Sequence, residues 1–438
     1  MRPLRIGLDL GSRAFKVAWI TSSRTGATQW HVRSKAIPAD ASPEQHVALL
    51  QEFLRPLRRF RYASPVVMTI SQSHLRQAAF ELPSLKHLPA AVQERVPQWF
   101  PFDVSRAQYR HHLVEQQPSA QALRCVVQVA ACDQQALQQD LATCWRLGWV
   151  PSEVCSTAQA ITALAAHHGR LPEQACLLLD IGARHSVLAI TLKRQVIFAR
   201  EIALGSDHLT EALMNQVMVG QESLQLSWDQ AEELKCQVGI PDDPSSGALL
   251  AGRVPVMTYH ALLQPVLEQW VGEIHRTMAF SAQTHPEAVP QQVLLCGGGA
   301  HLKGVDRWLA KQLELPVEPL FVASIAGQED LSLAAVCGAV LMPLRATLNF
   351  LPEATHRLRG VIRAEELGIK ALAVVVLALW LGMAATMGQQ RTVVRQLQPL
   401  QRRWQALEPV RALSETLTTQ AALINALAGD NTVPVAWF

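Results

Sequence analysis

The sequence predicts an α/β protein built from two related halves that face each other across a cleft. The first observation is a shared unit, an apolar strand that ends in Asp and turns through Gly into a second apolar strand, at 7–13 and again at 178–184. The second is its spacing, because a unit that returns after about 170 residues indicates two halves of one fold. The third is an apolar strand at 293–296 that runs into three glycines and a helix.

Together these stretches predict a site for a phosphate-bearing ligand. Turns of small residues expose backbone N–H groups that cradle phosphate. Paired carboxylates can hold a magnesium ion through its retained waters, and Asp9 and Asp180 are the predicted pair. A glycine-rich strand end lets a flat ring approach the backbone, and the helix N-terminus after it favours anions. The other predicted ligand residues here are Gly11, Ser12, Arg13, Lys16, Gly182, Gly297, Gly298 and Gly299.

Composition narrows the class of protein. The chain of 438 residues exceeds one ordinary domain, and its net charge of +3 is too small to argue for a nucleic-acid partner. All eight cysteines fall between Cys125 and Cys337, in apolar runs and without a Cys-x-x-Cys pair, which predicts buried free thiols in a reducing compartment. Charged residues at 9, 13 and 16 interrupt any signal-peptide core, so no cleaved signal is expected.

These motifs resemble those of the actin/Hsp70-type ATPase fold, and more closely those of the PilM family of cytoplasmic type IV pilus assembly proteins. The resemblance covers most of residues 1–344. It implies that this domain has an actin/Hsp70-like two-lobed ATPase fold and binds ATP with magnesium. The stretches that carry the resemblance are 7–16, 180–182, 200–210, 231–235 and 297–302.

The resemblance adds Gly205, Glu232 and Lys235 to the ligand residues. It implies that Glu232 and Lys235 contact ribose and adenine, and that Lys16 reaches a phosphate oxygen. From the residues alone, Glu232 and Lys235 can instead be a surface ion pair at i, i+3 on a helix, and Lys16 an exposed strand lysine. Gly205 precedes a helix whose N-terminus would turn its positive end to the cleft.

In the first half, alternating apolar residues predict a hairpin or a meander of strands over 4–37. Apolar side chains that recur every three to four residues predict a helix at 43–60, and a short apolar run predicts a buried strand at 65–70. Residues 82–130 resemble the inserted subdomain of PilM and FtsA-like proteins, in which a Pro-Phe corner follows a helix. In that family the insertion is a partner surface.

In the second half, a helix is expected between 156 and 167. PilM-like proteins often carry an acidic residue just before it, and the best register places Cys155 there. This departure favours binding over hydrolysis, because positioning the attacking water is a separate task from cradling phosphate. The other predicted elements are strands at 125–131, 186–192 and 195–201 and helices at 134–147, 208–221, 228–235, 261–281 and 331–341.

The composition changes after residue 344. Residues 345–366 are expected to form a basic linker. The next segment, 367–387, has an apolar centre at 371–387 and is long enough to span a bilayer. A core helix of a soluble protein would share this pattern. Residues 388–438 predict a tail that begins as a short coiled coil. Its apolar residues at heptad spacing are Val393, Leu397, Leu400, Trp404 and Leu407.

Charge alone does not orient this span, because arginines and lysines are balanced on its two sides. The free cysteines, the absence of a signal peptide and the ATP site place the large domain in the cytoplasm. The tail is then periplasmic, and the chain is expected to be a single-pass protein of the inner membrane.

The linker carries a second resemblance. Leu348-Asn-Phe-Leu-Pro352, followed by a basic stretch and a span, resembles the start of PilN, whose Asn-x-Leu-Pro peptide docks on PilM. Asn349, Leu351 and Pro352 are therefore predicted partner-binding residues, and the chain resembles a PilM–PilN fusion that lacks PilN's periplasmic ferredoxin-like domain. Only 344–348 separate the motif from the predicted domain end, at most about 18 Å of chain. We therefore expect docking on a neighbouring copy in a homo-oligomer.

These inferences predict an ATP-binding inner-membrane scaffold of a type IV pilus assembly machine. It would link a cytoplasmic motor ATPase to PilN/PilO-like partners in the periplasmic alignment complex, with weak or no ATPase activity. Two alternatives stay open, a platform subunit of a type II secretion system and a polymerising actin-like ATPase of cell division. The intact phosphate motifs count against the first of these.

Overall fold

The computed structural model describes residues 3–22, 28–70, 72–100, 106–118, 122–219, 222–243, 248–250, 254–321, 330–343 and 348–428. The chain divides into two compact units, Met1–Gly360 and Val361–Phe438.

A five-stranded sheet forms the first half of the larger unit. Its strands are β1 (Pro3–Leu10), β2 (Ala14–Ser22), β3 (Thr28–Ala36), β4 (Val66–Ile70) and β8 (Glu153–Ser156). Their order in the sheet is β3-β2-β1-β4-β8. The first three strands are the predicted antiparallel meander, and the last two join it in parallel.

An eight-stranded sheet joins the second half to the inserted segment. Its strands are β5 (Ser73–Leu82), β6 (Ala107–Pro118), β7 (Leu123–Asp133), β9 (Cys176–Ile181), β10 (Ser186–Leu192), β11 (Gln195–Ile202), β16 (Val293–Cys296) and β17 (Val317–Pro319). Their order is β17-β16-β9-β10-β11-β5-β7-β6. Five of them repeat the first sheet, because β9, β10 and β11 form an antiparallel meander to which β16 and β17 add in parallel. The repeat confirms the predicted actin-like fold class.

Helices connect and cover the two sheets of the larger unit. They are α1 (Pro43–Leu54), α2 (Leu88–Trp99), α3 (Gln134–Arg146), α4 (Thr157–His167), α5 (Ser206–Leu213), α6 (Trp228–Val238), α7 (Val256–Thr284), α8 (Val305–Leu313) and α9 (Ala334–Leu341). Two short hairpins, β12–β13 (Val217–Val219 with Glu222–Leu224) and β14–β15 (Leu249–Leu250 with Val254–Pro255), complete the unit.

Each half has its own hydrophobic core. One is centred on the first sheet and includes Phe15 and Met68, and the other lies between the second sheet and α7, around Tyr259. The helices α4 and α9 approach so closely that a Cβ on Gly338 would lie 1.9 Å from the carbonyl oxygen of Ala160. All eight cysteines are free, and all except Cys236 are buried, as the sequence predicts.

Several predicted elements differ in extent from the observed ones. The helix predicted at 43–60 is α-helical only to Leu54 and then continues as a 3₁₀ turn through Phe60, where Pro56 supplies no N–H donor. The helix predicted at 208–221 is wrong in its second half, because β-branched residues from Val217 onward pair in a hairpin. The Pro-Phe corner predicted after Phe100 falls outside the described residues, as do 429–438 of the tail.

The last helix, α10, runs over Glu353–Ala428 without interruption, with Pro399 and Pro409 inside it. Within Gly368–Ala426 lies a window with a mean hydropathy of 2.1, none of it buried, so this helix is long and apolar enough to cross a membrane by length and composition. Its apolar residues at heptad spacing are exposed, including Leu397 at 48% and Trp404 at 66%. The coiled coil stays a prediction.

Candidate functional site

The two Asp-bearing turns meet at one cavity of about 390 Å³, which is within the usual range for small-molecule sites. The repeated fold brings the two turns to equivalent positions. Each turn follows the first strand of an antiparallel meander, β1 in the first half and β9 in the second. The predicted site residues that line the cavity are Asp9, Gly11, Ser12, Arg13, Lys16, Asp180, Gly182 and Gly298.

Asp9 and Lys16 face each other across the first hairpin. They are register partners on β1 and β2, and Lys16 Nζ lies 3.4 Å from Asp9 Oδ2. The other carboxylate oxygen of Asp9 accepts a hydrogen bond of 2.9 Å from the hydroxyl of Thr69, on β4. These contacts hold the Asp9 carboxylate at the wall of the cavity, and Lys16, with 15% of its side chain exposed, is a largely buried cation rather than an exposed strand residue.

The charges in the cavity depend on one another. Burial alone would lower the pKa of Lys16, but the charges of Asp9 and Asp180 outweigh it and raise that pKa. Burial raises the pKa of Asp180 to about 6, with the charge of Lys16 opposing the rise and that of Asp9 adding to it. Two carboxylates face one ammonium here, and the Arg13 guanidinium on the same lining is paired with Asp207, so an excess of negative charge remains and the donor set fits a further cation.

The donor set therefore fits magnesium held largely through water. In the described part of the chain, no group of three or more His, Cys, Asp or Glu side chains is placed to hold a metal. A hard divalent ion that keeps most of its waters needs only one or two carboxylates. Asp9 and Asp180 would be those carboxylates, and this role stays a prediction.

Arg13 connects the two halves. Its Nε donates a hydrogen bond of 2.7 Å to Oδ2 of Asp207, whose side chain is 6% exposed, at the start of α5. Its guanidinium also lies 4.5 Å from the centre of the Trp228 ring on α6. Arg13 thus lines the cavity and, at the same time, ties the first turn to the second half.

The other predicted ligand residues lie outside the cavity lining, namely Gly205, Glu232, Lys235, Gly297 and Gly299. Lys235 is 3% exposed, and its Nζ donates to Glu232 Oε2 at 2.6 Å and to the Thr210 hydroxyl at 2.8 Å. The Glu232–Lys235 pair therefore joins α6 to α5 and is not an ordinary surface ion pair. Gly205 lets α5 begin against the second turn, where a Cβ would lie 2.4 Å from the Ala183 carbonyl oxygen.

Gly297 and Gly299 are required by close packing. Gly297 has a φ of +94°, and a Cβ there would lie 2.2 Å from Oδ1 of Asp180. A Cβ on Gly299 would lie 2.3 Å from Cγ2 of Ile181. The glycines thus bring β16 and the following turn against the end of β9, at the carboxylate of Asp180. Contact of these glycines with a flat ring stays a prediction.

Gly297→Ala is expected to destabilise the fold by more than 1 kcal/mol, because both the positive φ and the contact with Asp180 disfavour a side chain. Denaturant unfolding of the full chain in detergent measures this change. Gly272→Ala is a matched control, since a Cβ on Gly272 inside α7 meets nothing within 4 Å. That control should be neutral or slightly stabilising. Equal stability of both variants would contradict the packing explanation.

The structure corrects the position predicted for Cys155. Cys155 is buried against Val67 and Ala339, and burial raises the pKa of its thiol to about 12. The residue that reaches the cavity at the start of α4 is Thr157. Ser156 is the N-cap of α4, so the helix begins at Thr157, one residue later than expected.

Sequence reasoning also missed the cavity wall formed by α3. Ala136, Gln139, Asp140 and Thr143 line the cavity. They recur at i, i+3, i+4 and i+7, so they form one face of the helix. The available signal was this polar face, opposite the buried Leu137, Leu141 and Cys144, but such a pattern equally describes a solvated helix face.

Comparison with known proteins identifies the family. A sequence model of the family described as Type IV pilus assembly protein PilM matches residues 7–324. The match covers more than half of the chain. This chain belongs to the PilM family.

This PilM family chain is also similar to individual proteins. It is similar to a solved structure of a PilM–PilN type IV pilus biogenesis complex, with a TM-score of 0.59 and 22% identity over 78% of this chain and 98% of that one. The cell shape-determining protein MreB of Escherichia coli strain K12 is 26% identical over 183 residues, 38% of this chain and 52% of the relative. The chain thus spans about half the length of the curated relatives it matches.

In this PilM family chain, the segment after the actin-like domain lies in the core of its own unit. Leu348, Phe350 and Leu351 are each at most 1% exposed. The backbone N–H of Phe350 donates to the Val154 carbonyl at 2.9 Å. Val154 N–H donates in turn to Oδ1 of Asn349, also at 2.9 Å. The segment is therefore hydrogen-bonded to β8, the edge strand of the first sheet.

The inserted segment holds the same residues from the other side. Arg110, on β6, donates from Nε to the carbonyl oxygen of Asn349 at 2.9 Å and from Nη2 to that of Leu351 at 3.2 Å. Oδ1 of Asn349 also accepts from the N–H of Leu351 at 2.9 Å. Asn349 thus satisfies one backbone N–H on β8 and one within its own segment. Phe350, which the sequence reasoning did not single out, is the largest buried side chain of the segment.

In this structure of one chain the motif contacts its own domain, so the short tether does not prevent docking within the chain, and docking on a neighbouring copy stays a prediction. The tether is short, but the groove is close to the end of the domain. Arg5 shows this directly, because its Nη2 is 2.8 Å from Glu153 on β8 and 3.4 Å from the carbonyl oxygen of Pro343. The chain therefore has only a small distance to cover from Pro343 to Val154.

Proposed function

We propose that this chain is an ATP-binding scaffold of a type IV pilus assembly machine, held in the inner membrane by α10. The observation that carries the proposal is the meeting of Asp9, Lys16 and Asp180 at one cavity between two matching turns. Membership of the PilM family places the chain in type IV pilus assembly. Calorimetric titration of the full chain in detergent with ATP and magnesium tests it. One saturable site is expected, and its absence would refute nucleotide binding.

The cavity suits a nucleoside triphosphate on chemical grounds. Gly11 and Ser12 in the first turn and Gly182 in the second place small residues on both sides, where backbone N–H groups can approach phosphate oxygens. Lys16 supplies a buried positive charge between the two carboxylates. Magnesium, when bound near Asp9 and Asp180, would neutralise part of the phosphate charge. These features support triphosphate binding, with nucleotide acting mainly as a switch or structural ligand.

We also propose that residues from Leu348 onward act as a PilN-like segment fused to the PilM domain. Asn349, Leu351 and Pro352 match the predicted docking motif, and its first residues pair with β8 and contact Arg110 in the same chain. A fused segment of this kind would couple the nucleotide-binding domain to the membrane without a separate docking peptide. Further PilN/PilO-like partners and a cytoplasmic motor ATPase would bind other surfaces.

The proposed topology gives a direct prediction. A reporter active only in the periplasm should function when fused after residue 428 and fail when fused after residue 343, because the apolar window of α10 lies between them. Carbonate extraction should leave the chain in the membrane pellet. Exchanging Leu377 and Leu381 for Arg should release the chain from the membrane, since arginine near a bilayer centre is costly. Recovery of the parent in the soluble fraction would contradict the span.

A further inference from the structure

The α3 face that lines the cavity carries an acidic residue to which the proposed function assigns no role. Asp140 is flanked on this face by Gln139 and Thr143, and the three share the cavity with Asp9 and Asp180. Leu137 and Leu141 anchor the other side of the helix in the core. The N-cap is Asp133, whose Oδ1 accepts from the N–H of Ala136 at 2.8 Å. The helix is thus fixed in rotation, and Asp140 is held at the cavity wall.

The surroundings of Asp140 keep its carboxyl group near the point of ionisation. Burial, with the charge of Asp9 in addition, raises its pKa to about 7. Among the described residues it forms no ion pair. The other titratable or charged groups on the walls of the same cavity are Asp9, Arg13, Lys16, His46, Asp180 and His185. An unpaired carboxyl group in such a place is a candidate for proton transfer.

We propose that Asp140 is the general base for slow ATP hydrolysis in this cavity, accepting a proton from the water that attacks the terminal phosphate. The inference rests on the proposed ATP binding and extends it to a reaction. PilM-like proteins often carry an acidic residue just before α4, where this chain has Cys155. Asp140 would supply the missing carboxylate from α3 instead. Asp140 is not required as a metal ligand, because it forms no three-carboxylate group with Asp9 and Asp180.

The step balances without a further reactant. The water oxygen forms a bond to the γ-phosphorus, and the bond between that phosphorus and the β–γ bridging oxygen breaks. The electron pair of the broken bond stays with ADP. One proton of the water passes to the Asp140 carboxylate and then to solvent, and the products are ADP and inorganic phosphate. Thr157, at the start of α4, also lines the cavity, and because its hydroxyl donates to the Ile70 carbonyl oxygen at 3.3 Å, it would contact the water only as an acceptor.

Asp140→Asn tests the proposal, because it removes the base and keeps the size of the side chain. Two quantities are measured on the full chain in detergent, the affinity for a fluorescent ATP analogue and the single-turnover rate of phosphate release, each from pH 5.5 to 8.5. The hydrolysis rate of the parent should rise with pH, since only ionised Asp140 accepts the proton, and the rise should be centred above the ligand-free pKa of about 7 because bound phosphate disfavours the ionised carboxylate. In Asp140→Asn the rate should fall by about 10²–10⁴-fold and lose this pH dependence.

The binding measurement separates chemistry from structure. Ionised Asp140 repels phosphate, so the affinity of the parent should fall as pH rises through about 7, and Asp140→Asn should lack that part of the decrease. Asp140→Glu should recover part of the hydrolysis. The matched control is Gln138→Ala, an exposed position on α3 outside the cavity, which should behave as the parent in both measurements.

The outcomes distinguish this inference from the proposed function. If the parent binds no ATP analogue, the proposed function fails and the inference fails with it. If the parent binds ATP but releases no phosphate, only the inference is overturned. The same holds if Asp140→Asn, with an unchanged melting temperature, releases phosphate within twofold of the parent rate.

Discussion

Asp9→Ala and Asp180→Ala should each abolish the rise in melting temperature that ATP with magnesium gives the full chain. A ligand that binds only the folded state stabilises it by about 2.7 kcal/mol at a concentration of 100 Kd, so the parent shift should be large enough to measure. Each variant removes one of the two carboxylates that the two turns bring to the cavity. Asp9→Ala also removes the partner that lies 3.4 Å from Lys16 Nζ.

The two variants should differ from each other without ligand. Asp9→Ala leaves only the weaker influences of Asp180 and Asp330 to oppose the burial of Lys16, so the pKa of Lys16 should fall. Burial raises the pKa of Asp180 to about 6, so the ionised carboxylate opposes folding near neutral pH. Asp180→Ala should therefore cost less folding stability than Asp9→Ala.

Differential scanning fluorimetry with and without ATP and magnesium measures these shifts. Asp306→Ala is the matched control, because Asp306 is exposed in the first turn of α8 and lies outside the cavity. It should keep the full ATP-dependent shift. If both cavity variants respond to ATP as the parent does, the two-turn site is wrong, even if ATP binds elsewhere on the chain.

Phe350→Ala should destabilise the folded domain by about 3–5 kcal/mol, the usual cost of removing a fully buried aromatic side chain. Phe350 is 0% exposed and packs in the core of the first sheet, and its N–H bonds to β8. Arg110→Ala should cost less, because it removes two hydrogen bonds to carbonyl oxygens at the domain surface and leaves the apolar anchor in place.

Denaturant unfolding of the full chain, followed by tryptophan fluorescence, measures both losses. Phe321→Ala is the control for the loss of an aromatic ring, since Phe321 is 41% exposed, and it should change stability by less than about 0.5 kcal/mol. Docking within one chain makes the effect of Phe350→Ala independent of protein concentration. A loss that appears only at high concentration would instead indicate docking between copies, and no loss would reduce the motif to a linker.

The sequence alone determined the two turns that carry Asp and Gly and the order of the elements around them. An apolar strand, an Asp and a Gly-bearing turn are local features, so 7–13 and 178–184 could be recognised without tertiary contacts. Their repetition predicted the two halves, and the repeated strand order of the two sheets confirmed them. The buried cysteines and the apolar run in α10 were also local patterns of composition.

The tertiary structure alone decided which distant residues share the cavity and where the linker goes. Asp140 could not be found from sequence, because its polar helix face looks like a solvated one until packing turns it towards Asp9. Glu232 and Lys235 are neighbours on any helix that includes both, because they are three residues apart. Only the packing of α5 against α6 buries Lys235. Chain length suggested that Asn349 was too tightly tethered to reach its own groove. The structure places the edge of β8 beside Pro343, so a short tether suffices. Whether a tether can reach its groove depends on the position of its starting residue as well as on its length.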